Sequence, residues 1–108
     1  MPSFMMQLKY TGETMNALMK RPTDRTDVIR KLVDKLGGSL VGAWYCFGEY
    51  DAVLVMDLPD NVSAAAGAIA VAASGGFKTT ITPLIGMEEG MAAMKMAGKL
   101  NYKPPTKK

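Results

Sequence analysis

Histidine is absent from the chain, and cysteine occurs once, at Cys46. The first absence excludes Ser-His-Asp and Cys-His nucleophile systems and every His-ligated metal site. The second excludes an internal disulfide and a Cys-based zinc site, and one free thiol suits a reducing compartment. Arginine is scarce, with only Arg21, Arg25 and Arg30. No long apolar run is present: Val62 to Ala73 is too short and too alanine-rich to span a bilayer. Met1 to Tyr10 lacks the charged start and long apolar stretch of a signal peptide. A cytoplasmic protein without membrane partners is expected.

The 108 residues, 48% hydrophobic and 21% charged, suit one compact domain with a modest core. The 13 basic and 10 acidic residues are unevenly spread. Five lysines (Lys95, Lys99, Lys103, Lys107, Lys108) and no acid follow residue 94, leaving 8 basic against 10 acidic groups before it. The basic pI therefore belongs to a Lys/Pro-rich tail. Nucleic-acid binding would need a basic face with arginine or aromatic contacts, and none is expected here.

Ser3 to Tyr10 carries Phe4, Met6 and Leu8 on one parity and reads as a strand. Thr11 to Pro22 reads as a loop with a short helical turn, Met15, Leu18 and Met19 being helically spaced. Thr23 or Thr26 can cap a helix with Asp24 and Asp27 in its first turns. Val28, Ile29, Leu32, Val33 and Leu36 repeat at three and four, and Gly37-Gly38 stops that helix. Leu40 to Phe47 and Ala52 to Leu58 read as strands joined by Gly48-Glu49-Tyr50-Asp51. Both are apolar on both parities, so both sheet faces are expected to be covered. Asp60 or Asn61 caps an alanine-rich helix, Val62 to Ser74. Phe77 to Thr82 is a fourth strand, ended at a sheet edge by Pro83, and Met87 to Leu100 a C-terminal helix.

The order β-α-β-β-α-β is ferredoxin-like, an α+β fold with a four-stranded antiparallel sheet. Two helices cover one sheet face. The other, also apolar, is expected to pair with a second copy as a dimeric α+β barrel, with higher oligomers left open.

Gly48-Glu49-Tyr50-Asp51, followed by an apolar strand and Pro59-Asp60, resembles the GYD domain family, named after its Gly-x-Tyr-Asp hairpin. Gly37-Gly38 also matches, and the Lys20, Arg21, Pro22, Arg25 region does so more loosely. The likeness runs from about Phe4 to Met87, so residues 1–87 are taken as the GYD-like domain and 88–108 as a helix and tail. One departure is Thr14, which stands where the family often has a glycine. The resemblance implies the dimeric barrel fold and leaves the biochemical role largely undefined.

Candidate site residues are Trp44, Tyr45, Tyr50 and Asp51. At a cleft mouth, Asp51 could accept a proton or anchor a ligand, with Tyr50 donating a hydrogen bond. The preferred reading is structural: Gly48 takes a positive φ, Asp51 bonds turn amides, and Tyr50 packs. Trp44 and Tyr45 point to opposite faces by alternation, and one of them is expected to line a cavity between sheet and helices. Cys46 reads as a buried small hydrophobe. Arg21, Arg25 and Lys20 could hold an anion but read as solvated charges. The ten methionines read as adaptable packing rather than a thioether metal site, and no cofactor or metal is expected. The expected function is a homodimeric module that binds a small apolar ligand or serves assembly. The alternative is a cofactor-independent enzyme resembling monooxygenases or isomerases, acting on a small apolar or aromatic substrate.

Overall fold

The structure, a computed structural model, describes residues 1–105. The expected basic tail falls partly beyond them: Lys107 and Lys108 lie outside the described residues. Four strands and four helices follow in the order β1 (Ser3–Tyr10), α1 (Gly12–Lys20), α2 (Thr26–Lys35), β2 (Ser39–Tyr45), β3 (Ala52–Asp57), α3 (Asn61–Ala73), β4 (Phe77–Leu84) and α4 (Met87–Gly98). The sheet order is β2-β3-β1-β4, antiparallel throughout, which is the ferredoxin-like topology.

The register sorts the side chains into two faces. Phe4, Met6 and Leu8 of β1 stand beside Ala52, Leu54 and Met56 of β3, and all six are buried. This face receives α2, which packs on β2, and α3, which packs on β4. Val33 from α2, Ala64 from α3 and Leu58 complete the buried core. The alanines and Gly67 let α3 approach closely, since a Cβ at Gly67 would come within 3.0 Å of Leu36 Cδ1.

The opposite face carries Met5 opposite Val55 and Gln7 opposite Val53, with Trp44 beside Val53 at the β2 edge. Among the described residues no helix covers it, so Val53 and Val55 of β3 are left half-exposed. The bulge between Leu40 and Gly42 interrupts the β2 ladder on that edge.

Four elements depart from the sequence reading. Thr11 to Pro22 is a true helix rather than a loop with a turn: the Thr11 hydroxyl accepts from Thr14 N–H and caps a nine-residue α1. Neither Thr23 nor Thr26 caps α2. Arg25 occupies the cap without a side-chain bond, and the Asp24 carboxylate accepts from both N–H and Oγ1 of Thr26. β2 stops at Tyr45, short of Phe47; Cys46 N–H still donates to the Asp51 carbonyl in register with the β3 pairing before the chain turns. β4 continues through Pro83 to Leu84; on an edge strand proline's missing N–H leaves no central ladder bond unmade.

Two glycine positions fix the connections. Gly37 takes φ +82° at the end of α2, and at Gly38 a Cβ would overlap the Asp57 carbonyl, so both are needed where α2 turns into β2 beside β3. α4 stands apart from the layers, with Met87, Met91, Met94 and Met96 exposed along it, and the described chain measures 57 × 34 × 22 Å. Among the described residues no helix is long and apolar enough to cross a membrane.

Candidate functional site

A solvent-open cleft of about 1270 Å³ lies between the helix-side face of the sheet and α1 and α2. Its origin is geometric. α1 has no buried residue, so it stands off the sheet, whereas α2 inserts only Val33 fully. The gap is lined by Leu8, Ala43, Val71 and Phe77 from the body and by Met15, Leu18, Met19, Val28, Ile29 and Leu32 from the two helices. Lys31 and Lys35 reach its rim.

Polar groups gather where β1 ends. Tyr10 continues the row of Phe4, Met6 and Leu8, so its ring enters the cleft and packs edge-on against Phe77, centroids 5.1 Å apart and planes at 79°. Burial pushes the Tyr10 phenol above its ordinary pKa. Tyr45 adds to the rise, Arg25 opposes it, and Asp51 and Cys46 add smaller contributions. Tyr10 thus remains the protonated donor through neutral and mildly alkaline pH.

Tyr45 lies across the cleft's upper edge. Its phenol donates to the Thr23 carbonyl at 2.7 Å, tying the end of β2 to the α1–α2 connection. Asp51 sits at the floor with its side chain only 12% exposed. Its Oδ2 accepts from Tyr10 N–H at 2.8 Å and lies 3.6 Å from Lys9 Nζ. Its own N–H donates to the Leu8 carbonyl, and its carbonyl accepts from Cys46 N–H. Asp51 therefore locks the β2–β3 hairpin onto the end of β1.

Gly48 takes φ +136°, and the Cys46 thiol donates to the Tyr50 carbonyl at 3.2 Å, closing the hairpin from within. Cys46 lines the cleft and is partly exposed, where the sequence reading had it buried. Tyr50 is half-buried and does not line the cleft. Trp44 touches the cleft's rim, but its register opposite Val53 and its ring lying over Gly42 place the indole on the other sheet face.

Of the four residues singled out in the sequence, Tyr45 and Asp51 line the cleft, Trp44 touches its rim, and Tyr50 is not among its lining residues. Two others were missed. Tyr10 could have been found as the polar-tipped last member of an apolar row. Phe47, 98% exposed at the cleft mouth, leaves no sequence signal, because it lies in the turn beyond β2. Among the described residues no group of three His, Cys, Asp or Glu side chains could hold a metal ion.

A family model for the GYD domain matches residues 4–94 of the chain, reaching into α4 beyond the Met87 limit of the residue-by-residue likeness. No curated protein and no solved structure matches it.

Proposed function

The chain belongs to the GYD domain family, and from that premise we propose that it is a small-ligand-binding module, a cytoplasmic homodimer holding an apolar or aromatic compound in the cleft of each subunit. The cleft carries this reading: a gap of about 1270 Å³, apolar on most sides, with the Tyr10 phenol at its inner end. Burying a flat hydrophobic compound there would remove apolar side chains of α1 and α2 from water, at roughly 25 cal/mol per Å². The phenol supplies the oriented polar contact that such sites use for specificity.

The uncovered sheet face supports the dimer. Met5, Val53, Val55 and Trp44 form an apolar surface that a second copy could cover by packing its own sheet on it, giving a barrel of two four-stranded sheets.

An enzyme of the cofactor-independent monooxygenase or isomerase kind is the second reading, favoured by the protonated Tyr10 beside Tyr45. It is the weaker one, because the Asp51 carboxylate, the nearest general base, is engaged by Tyr10 N–H and Lys9.

Native mass spectrometry of the purified protein tests both assembly and cargo. A dimer mass with one small molecule released per chain on activation is expected. A bare monomer with no affinity for any aromatic compound would end the proposal.

A further inference from the structure

We propose that the ligand carries an anionic group, a carboxylate or sulfonate attached to its apolar body, and that Arg25 together with Arg21 holds that group. The inference deepens the cleft reading and rests on it.

A smaller hollow of about 480 Å³ adjoins the cleft. The two share Leu18, Thr23, Arg25 and Phe77 as a common wall, so a compound filling one can extend into the other. Arg21 lines the smaller hollow and Arg25 both. The two residues follow one another across the short α1–α2 connection, which Tyr45 pins through the Thr23 carbonyl. Both residues thus lie at one end of the joined site, which is mostly apolar and whose other charged lining residues are Glu13, Asp24, Asp51, Lys31 and Lys35.

Neither arginine is spent on a protein carboxylate. Among the described residues the ion pairs are Lys9 with Asp51 and Arg30 with Asp27. Asp24, next to Arg25, directs one oxygen to the N–H and hydroxyl of Thr26, and Asp51 accepts from Tyr10 N–H. Glu13, which also borders the smaller hollow, makes no ion pair within 4 Å. The hydroxyls nearby are used internally: Thr23 donates to the Arg21 carbonyl and Ser74 to the Val71 carbonyl. Among the residues lining the smaller hollow the cationic donors are therefore Arg21 and Arg25, and neither is ion-paired. Both arginines are exposed at the edge of the site, and Arg25 lies near enough to the Tyr10 phenol to oppose the rise of its pKa. A planar fork of N–H donors beside an apolar wall matches an aromatic acid, because guanidinium binds carboxylate or sulfonate by two parallel hydrogen bonds.

Two fluorescent probes of nearly one shape test this: 8-anilinonaphthalene-1-sulfonate and N-phenyl-1-naphthylamine, which lacks the sulfonate. Binding is followed by fluorescence, and occupancy of the cleft by the slowing of Cys46 alkylation, Cys46 being the single thiol and a cleft residue. Both probes are expected to protect Cys46, the sulfonate binding about tenfold more tightly at low salt, the scale of a charge-assisted contact. The double variant Arg21→Gln/Arg25→Gln should lose that preference and keep its affinity for the neutral probe. It should fold normally, since neither side chain makes a hydrogen bond among the described residues. Equal affinity of the wild type for the two probes, or an unchanged preference in the variant, overturns the anion site while leaving the cleft reading intact. Failure of both probes to protect Cys46 overturns the cleft reading as well.

Discussion

Asp51 is the residue on which the family's hairpin motif turns, and its contacts make it a structural latch first. Removing the carboxylate leaves Tyr10 N–H without its acceptor at a half-buried strand end. Asp51→Ala should therefore cost about 1–3 kcal/mol in chemical denaturation. Asp51→Asn should cost much less, because the amide oxygen still accepts and the partner Lys9 is half-exposed, where ion pairs contribute little. An equal loss in both variants would show that the charge itself matters. Tyr10 gives a pH signature. Its phenol is raised by burial, so the folded state holds its proton more tightly than the unfolded chain does. Stability from this group is complete below the unfolded value near 10 and is lost as pH rises through the higher folded value. Tyr10→Phe should flatten the fall in denaturation midpoint above about pH 10, and the phenolate absorbance of the wild type minus that of the variant should titrate at higher pH than a free tyrosine.

At the scale of the elements, caps explain both what could be read from sequence and what could not. β1 was legible to its last residue, because one parity is apolar throughout and Thr11-Gly12 breaks it. The body of α2 was equally plain from its three-four repeat. α1 was not, because Thr11-Gly12 looks like a turn; the helix depends on a hydroxyl reaching Thr14 N–H, a local bond that composition does not announce. Thr11→Ala should therefore destabilise by about 1 kcal/mol and fray α1, seen as lost amide protection there alone. The cap of α3 was legible as Asp60 or Asn61; it is Asp60, and Ser63 N–H holds its carboxyl below the usual range. Its contribution is present above the ordinary carboxylate pKa and fades as pH falls through the lowered folded value, so Asp60→Asn should weaken the acid sensitivity of unfolding. For the site, Tyr45 and Asp51 could be read from the strand pattern. Tyr10 was within reach as the polar-tipped end of the β1 apolar row, whereas Phe47 was not, since it lies in the turn beyond β2 and reaches the cleft mouth only through the fold.

For the whole molecule the governing fact is an asymmetric sheet, one face packed by helices that leave a cleft and the other bearing Met5, Val55 and Trp44. Sedimentation equilibrium should give a homodimer at micromolar concentration, and Val55→Lys, at the middle of that face, should give a folded monomer with an unchanged far-ultraviolet spectrum. Deleting residues 101–108 should leave the thermal midpoint within a degree or two, because Tyr102 is the only large apolar side chain there and it is exposed. The sheet's asymmetry also separates the chain's optical reporters. Trp44 is the sole tryptophan, 56% exposed on the uncovered face, whereas the inner cleft holds Tyr10 and the single thiol. Emission from the indole should move to shorter wavelength as concentration drives association and stay nearly constant when a colourless compound enters the cleft. A thiol-bound dye at Cys46 should behave in the opposite way. The fold thus carries two independent optical channels, one for quaternary structure and one for occupancy, at opposite surfaces of a single sheet.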